Sequence, residues 1–206
     1  MTIPRSLLAL TLSTASFLSA QTETPILIAG QGGLHRTTLD LESGKLGAPA
    51  LVHEFDSGSW LVWHPTLSVV YSSWRDKNTG GVKALQVSAS GDVTELASVP
   101  LPFSSPAHIA VSPAGDYLST AHYGSKATTL ISLGDDGVFD DFKDSYEHRG
   151  SGPHRVQTQS RPHWAGFTPD GTRLHVTDLG SDEIWTFAVD HDKSQLKLLH
   201  KTGLPA

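Results

Sequence analysis

Thr168-Pro169-Asp170-Gly171-Thr172-Arg173-Leu174-His175-Val176-Thr177 reads as a proline-bearing turn that runs straight into a strand. Proline presets one turn dihedral, glycine tolerates positive φ, and the β-branched residues that follow favour a pleated surface. Two earlier stretches repeat the pattern. They are His64-Pro65-Thr66-Leu67-Ser68-Val69-Val70-Tyr71 and Ser112-Pro113-Ala114-Gly115-Asp116-Tyr117-Leu118-Ser119-Thr120. Pro65, Pro113 and Pro169 lie 48 and 56 residues apart.

A second element alternates with the first. Leu41-Glu42-Ser43-Gly44-Lys45-Leu46, Ser88-Ala89-Ser90-Gly91-Asp92-Val93 and Leu133-Gly134-Asp135-Asp136-Gly137-Val138 each look like a hairpin turn between short strands. Asp190 to Leu196 is a weaker fourth copy. Two turn motifs recurring in fixed order every 40 to 50 residues are the signature of β-propeller blades. A β-sandwich would explain the short strands but not this recurrence. The expected fold is all-β, with about four blades in the chain and no helix after residue 20. Ala107 to Val111 and Trp164 to Phe167 precede proline turns and read as innermost strands.

Composition narrows the function classes. The absence of cysteine removes disulfides, thiolate nucleophiles and cysteine-ligated zinc. A net charge of −6 without a basic cluster argues against a nucleic-acid partner. Neither a G-x-S-x-G elbow nor an H-E-x-x-H pair occurs. No metal site and no cofactor are expected. Residues 1–20 resemble a secretory signal, with Arg5 ahead of an apolar stretch that ends at Leu18 and small residues before Gln21. This predicts a secreted chain starting at or near Gln21, with residues 21–206 as a partial propeller and no membrane span. Without that cleavage the expected location is the cytoplasm.

The third repeat is longer than the others by a loop rich in arginine and histidine, from His148 to His163. Arginine recognises carboxylate or phosphate in a bidentate manner, and histidine moves protons near neutral pH. His163, His108 and Arg155 are the candidate catalytic residues, with His108 and His163 placed alike before their proline turns. His122, Arg161, Gln159 and Asp178 are candidate substrate-binding residues. Asp178 has a second reading, as the cap of the turn Leu179-Gly180-Ser181.

Gly150-Ser151-Gly152-Pro153, Gln159, Pro162-His163, Pro169-Asp170-Gly171 and Thr177-Asp178-Leu179-Gly180-Ser181-Asp182 occur in that order. This series resembles the lactonase family of seven-bladed propellers, which includes 6-phosphogluconolactonases and 3-carboxy-cis,cis-muconate lactonizing enzymes. The resemblance implies a lactonase or a lactonizing cycloisomerase acting on an anionic sugar lactone or a carboxymuconate, without a cofactor. It also implies about 350 residues and seven blades, so this chain holds the first four. Two family positions differ here: Thr158 stands at an expected arginine and Ala165 at an expected histidine. The alternative is a non-catalytic binding or interaction module. Self-association is expected through apolar faces left open on the terminal blades, from Ile26, Leu27 and Ile28 on the first and Ile184, Trp185 and Phe187 on the last.

Overall fold

The computed structural model describes residues 22–77 and 79–205. The expected signal segment and the start at Gln21 lie outside them. Fifteen strands form four antiparallel sheets, and no helix occurs among the described residues. The first sheet holds β1 (Glu23–Gly30), β2 (Gly33–Asp40) and β3 (Ala50–Glu54). The second holds β4 (Gly58–Trp63), β5 (Val69–Arg75), β6 (Gly80–Val87) and β7 (Val93–Leu101). The third holds β8 (Pro106–Val111), β9 (Tyr117–His122), β10 (Ala127–Leu133) and β11 (Phe139–Glu147). The fourth holds β12 (Pro162–Phe167), β13 (Arg173–Asp178), β14 (Glu183–Asp190) and β15 (Gln195–Gly203). Each sheet is one blade of a partial propeller.

The two turn motifs fall where the repeat places them. The proline turns join the first and second strands of blades two to four. The glycine turns join the third and fourth, and Gly44, Gly91 and Gly137 there have φ of 70°, 82° and 75°. In the first blade that glycine turn joins β2 to β3. Its three strands therefore hold the second to fourth places of a blade, and no innermost strand pairs with β1 among the described residues.

A blade has two faces to bury, and neighbouring blades bury them. Leu34, Val70 and Leu85 form the core between the first two blades. Tyr71, Val82, Ile109, Leu118 and Ile131 fill the next gap, and Leu130, Leu174, Val176, Trp185 and Phe187 the last. Each large apolar side chain buried in this way contributes about 1.5–3 kcal/mol. Hydrogen bonds latch each blade to the turn between the third and fourth strands of the next. Arg36 donates to the Ser90 carbonyl at 3.0 Å, Tyr71 donates to the Gly137 carbonyl at 2.6 Å, and Tyr117 pairs with the Ser194 hydroxyl at 2.7 Å. Strands β4, β8 and β12 lie side by side at the inner edge of the arc.

One expectation about the open faces is overturned. Trp185 and Phe187 are fully buried, because alternation along β14 turns them towards the third blade. The outward face of the fourth blade carries Arg173, His175 and Thr177 from β13, with Ile184, Thr186 and Ala188 from β14. That face is largely polar, and His175 Nδ1 lies 3.0 Å from the Thr186 hydroxyl. The first blade keeps more apolar surface outward, with Ile28 and Leu51 exposed, but Leu27, expected on that open face, packs inward against the second blade.

Candidate functional site

The inner strands are bulged where they approach the end of the arc opposite the proline turns. Register breaks between Gly58 and Leu61 in β4, Pro106 and His108 in β8, and Pro162 and Trp164 in β12. A bulge adds an unpaired residue and re-aims its side chain. A cavity of about 540 Å³ opens against these bulges. Nine of its eleven lining residues come from three repeat positions in blades two, three and four. Six residues before each proline stand Ser59, Ala107 and His163. Five before stand Trp60, His108 and Trp164. Ten after stand Arg75, Tyr123 and Leu179. Ser105 and Pro106 complete the wall.

His163 and His108 therefore share one cavity, as the sequence suggested, but they are not equivalent. His163 is the bulged residue of its strand and is exposed. Tyr123 meets its ring edge-on at 5.9 Å. His108 is one place further along and only 6% exposed. Its ring lies 4.1 Å from Trp60 and 5.6 Å from Trp164, centroid to centroid. The Ala165 N–H donates to His108 Nδ1 at 3.4 Å, which assigns the proton to Nε2. That Nε2 has no hydrogen-bond partner. Burial, reinforced by nearby His163, pushes the His108 imidazole down to about 4. At neutral pH His108 is uncharged.

Arg75 supplies the cation that the sequence reading sought in the long loop. It is exposed at the end of β5 and lines this cavity and also a second one of about 930 Å³, between the first two blades. Arg155 is exposed in the loop and is not among the residues lining the site. Arg161 approaches indirectly, with its guanidinium 4.7 Å from the Tyr123 ring centroid. Gln159 is half-buried beside Gly180 and does not line the cavity.

Two further candidates prove to be internal. His122 is fully buried, between the Thr120 hydroxyl at 2.6 Å and the Ser104 carbonyl at 3.2 Å. Burial pushes its imidazole down to about 4. Asp178 is 2% exposed and caps the turn after β13. Its Oδ1 accepts from the N–H groups of Arg161 at 2.6 Å, Gly180 at 2.9 Å and Ser181 at 3.2 Å. The capping alternative is the observed one. Asp178 Oδ2 lies 3.4 Å from His148 Nδ1, an electrostatic approach outside hydrogen-bond geometry. Burial opposes ionisation of Asp178, yet His148 and the backbone donors outweigh it and hold the carboxyl below its ordinary value. Burial of His148 pushes its imidazole down, against the pull of Asp178.

The Gly150–Arg161 loop is fastened by a residue the sequence reading passed over. Gln157 donates to the Leu179 carbonyl at 2.8 Å and to Asp182 Oδ1, while its own Oε1 accepts from the His154 N–H at 2.9 Å.

The family signature described as "Lactonase, 7-bladed beta-propeller" matches residues 17–205. The chain belongs to this lactonase family. A 6-phosphogluconolactonase of Bacillus subtilis is 29% identical over 159 residues, covering 77% of this chain and 46% of the relative. A 6-phosphogluconolactonase of Formosa agariphila is 24% identical, covering 82% and 49%. The chain thus spans about half the length of the curated relatives it matches. Among solved structures, a Lactobacillus plantarum protein superposes with a TM-score of 0.79 at 26% identity, over 89% of this chain and 54% of that one. A putative 6-phosphogluconolactonase from Bacteroides uniformis gives a TM-score of 0.80 at 23% identity, over 90% and 56%. Where this lactonase-family chain departs from the sequence pattern, Ala165 is fully buried in the core between blades three and four. Among the described residues no group of three His, Asp or Glu side chains could hold a metal ion. No helix there is long and apolar enough to cross a membrane.

Proposed function

We propose that this chain carries a ligand site of a lactonase acting on a small anionic lactone, with a sugar lactone favoured over a carboxymuconate. The observation behind it is the meeting of Arg75, His163 and three aromatic rings in one cavity. Arg75 offers a planar fork to a phosphate or carboxylate. His163 is exposed on its bulge and is the proton carrier. Water attacks the lactone carbonyl and passes its proton to His163. The acyl carbon–oxygen bond of the ring then breaks, and His163 returns the proton to the ring oxygen. No cofactor enters this reaction.

The second reading is a binding module without turnover. It is favoured by His108, whose Nδ1 lone pair is already engaged by a backbone N–H. One assay separates the two readings. Proton release from 6-phosphogluconolactone, measured above spontaneous hydrolysis, is expected to fall about a hundredfold in His163→Gln. Arg75→Met is expected to weaken binding about tenfold. Binding of 6-phosphogluconate with no added hydrolysis would select the binding module. No binding of either compound would overturn both readings. Secretion, with Gln21 at or near the mature N-terminus, belongs to the proposal and is checked by N-terminal sequencing of protein from the medium. Self-association now rests on the first blade alone.

A further inference from the structure

Trp60, His108 and Trp164 occupy one repeat position in three consecutive blades, and their rings run as a row along the inner wall. Both indoles are 42% exposed although they lie in a concave cavity. Each indole turns one side towards His108, the six-membered ring of Trp164 also lies over Gly166, and the rest of each indole is open to the cavity. Exposed tryptophans at a concave surface mark places where a partner covers them. His108 is the wedge of the row, held by the Ala165 N–H and tilted 41° from one indole and 51° from the other.

We propose that Trp60 and Trp164 form a stacking platform for the ring of the ligand and so set a preference for closed-ring over open-chain substrates. This rests on the anionic-ligand reading above and adds to it a second recognition element. The face of an indole is electron-rich, and the C–H edges of a saturated sugar ring carry slight positive charge. A closed ring presents those hydrogens together as one flat face, whereas an open chain presents them only after losing several torsional freedoms. Arg75 lies at the rim of the same cavity. A ring seated on the indoles can therefore extend its anionic group to the guanidinium. Neutral His108 brings no charge to the platform and sets the spacing of the two indoles. It is a positioning residue.

The test uses the full chain and two probes that carry the same phosphate. Glucose 6-phosphate has a closed ring, and glucitol 6-phosphate is an open chain of the same charge. The closed-ring compound is expected to bind about tenfold more tightly. Trp60→Leu and Trp164→Leu should each erase most of that preference, and Trp60→Phe should restore part of it. Arg75→Met should weaken both probes alike and leave the ratio unchanged. Trp63→Leu, at an exposed indole outside the cavity, should change neither. Circular dichroism of each variant confirms that it folds. Equal binding of the two probes, or a preference that survives both leucine substitutions, overturns the platform while leaving the anion site intact. Absence of binding by both probes overturns the anion reading and the platform with it.

Discussion

Gly180→Ala is expected to destabilise the chain by about 3 kcal/mol, a fall of roughly 10 °C in Tm for a domain of this size. A methyl group at Gly180 would stand 1.9 Å from the Gln159 carbonyl oxygen and 2.8 Å from the Arg161 nitrogen. These are backbone atoms, so no side-chain rotation relieves the clash. The Gly150–Arg161 loop must lift from the turn that Asp178 caps, or the turn itself must open. Either movement breaks the bonds from Asp178 to Arg161 and from Gln157 to Leu179. Arg161 would then leave the Tyr123 ring, and the wall beside His163 would lose its support. Gly30→Ala is the matched control, because a methyl group there meets nothing within 4 Å. Thermal melts of both variants check this, and equal Tm values would show that the loop is not packed on the turn as described.

The repeat made the fold legible. Proline turns and glycine turns have strong local chemistry, and their order survives large changes in the strands between them. The strand faces were harder to read. A β-strand alternates with period two, so a reading displaced by one residue moves every side chain to the other face. His122 and Asp178, expected to bind substrate, are the last residues of β9 and β13 and are buried. The cavity is lined by their immediate neighbours, Tyr123 and Leu179. Ile184, Trp185 and Phe187 are expected together on one open face, but neighbouring residues of a strand point to opposite faces, and only Ile184 is outward.

Bulges were the second obstacle. His108 stands five residues before its proline and His163 six, so they belong to different rows of the wall. Counting back from each proline would have paired His108 with Trp60 and Trp164. Counting forward would have found Arg75, which stands alone as a cation in a repeat position and carries no motif of its own. The arginines and histidines of the long loop are close in sequence, but of them only His163 lines the cavity. The residues that meet in space are spread from Ser59 to Leu179.

Stability is expected to fall steeply between pH 7 and pH 5, before carboxylates begin to protonate. Three histidines, His108, His122 and His148, are held below the ordinary imidazole value, in each case chiefly by burial. Each is neutral in the folded chain and gains a proton more readily when unfolded. The unfolded state therefore binds more protons as pH falls through about 6.5, and the stability these groups contribute is full above that value and lost below it. For His122, held at about 4, the loss amounts to roughly 2 kcal/mol by pH 5 and levels off near pH 4. His108 and His148 add losses in the same direction. Asp178 acts later. Its carboxyl is held below the ordinary value, so its contribution persists above about pH 4 and disappears only as pH falls through its folded value. Urea titrations at pH 7 and pH 5 read the first loss directly. His122→Gln keeps a donor for the Ser104 carbonyl and an acceptor for the Thr120 hydroxyl but does not titrate. It is expected to be less stable than the parent at pH 7 and to lose about 2 kcal/mol less on going to pH 5. An unchanged urea midpoint between the two pH values would mean that the buried histidines titrate alike in both states.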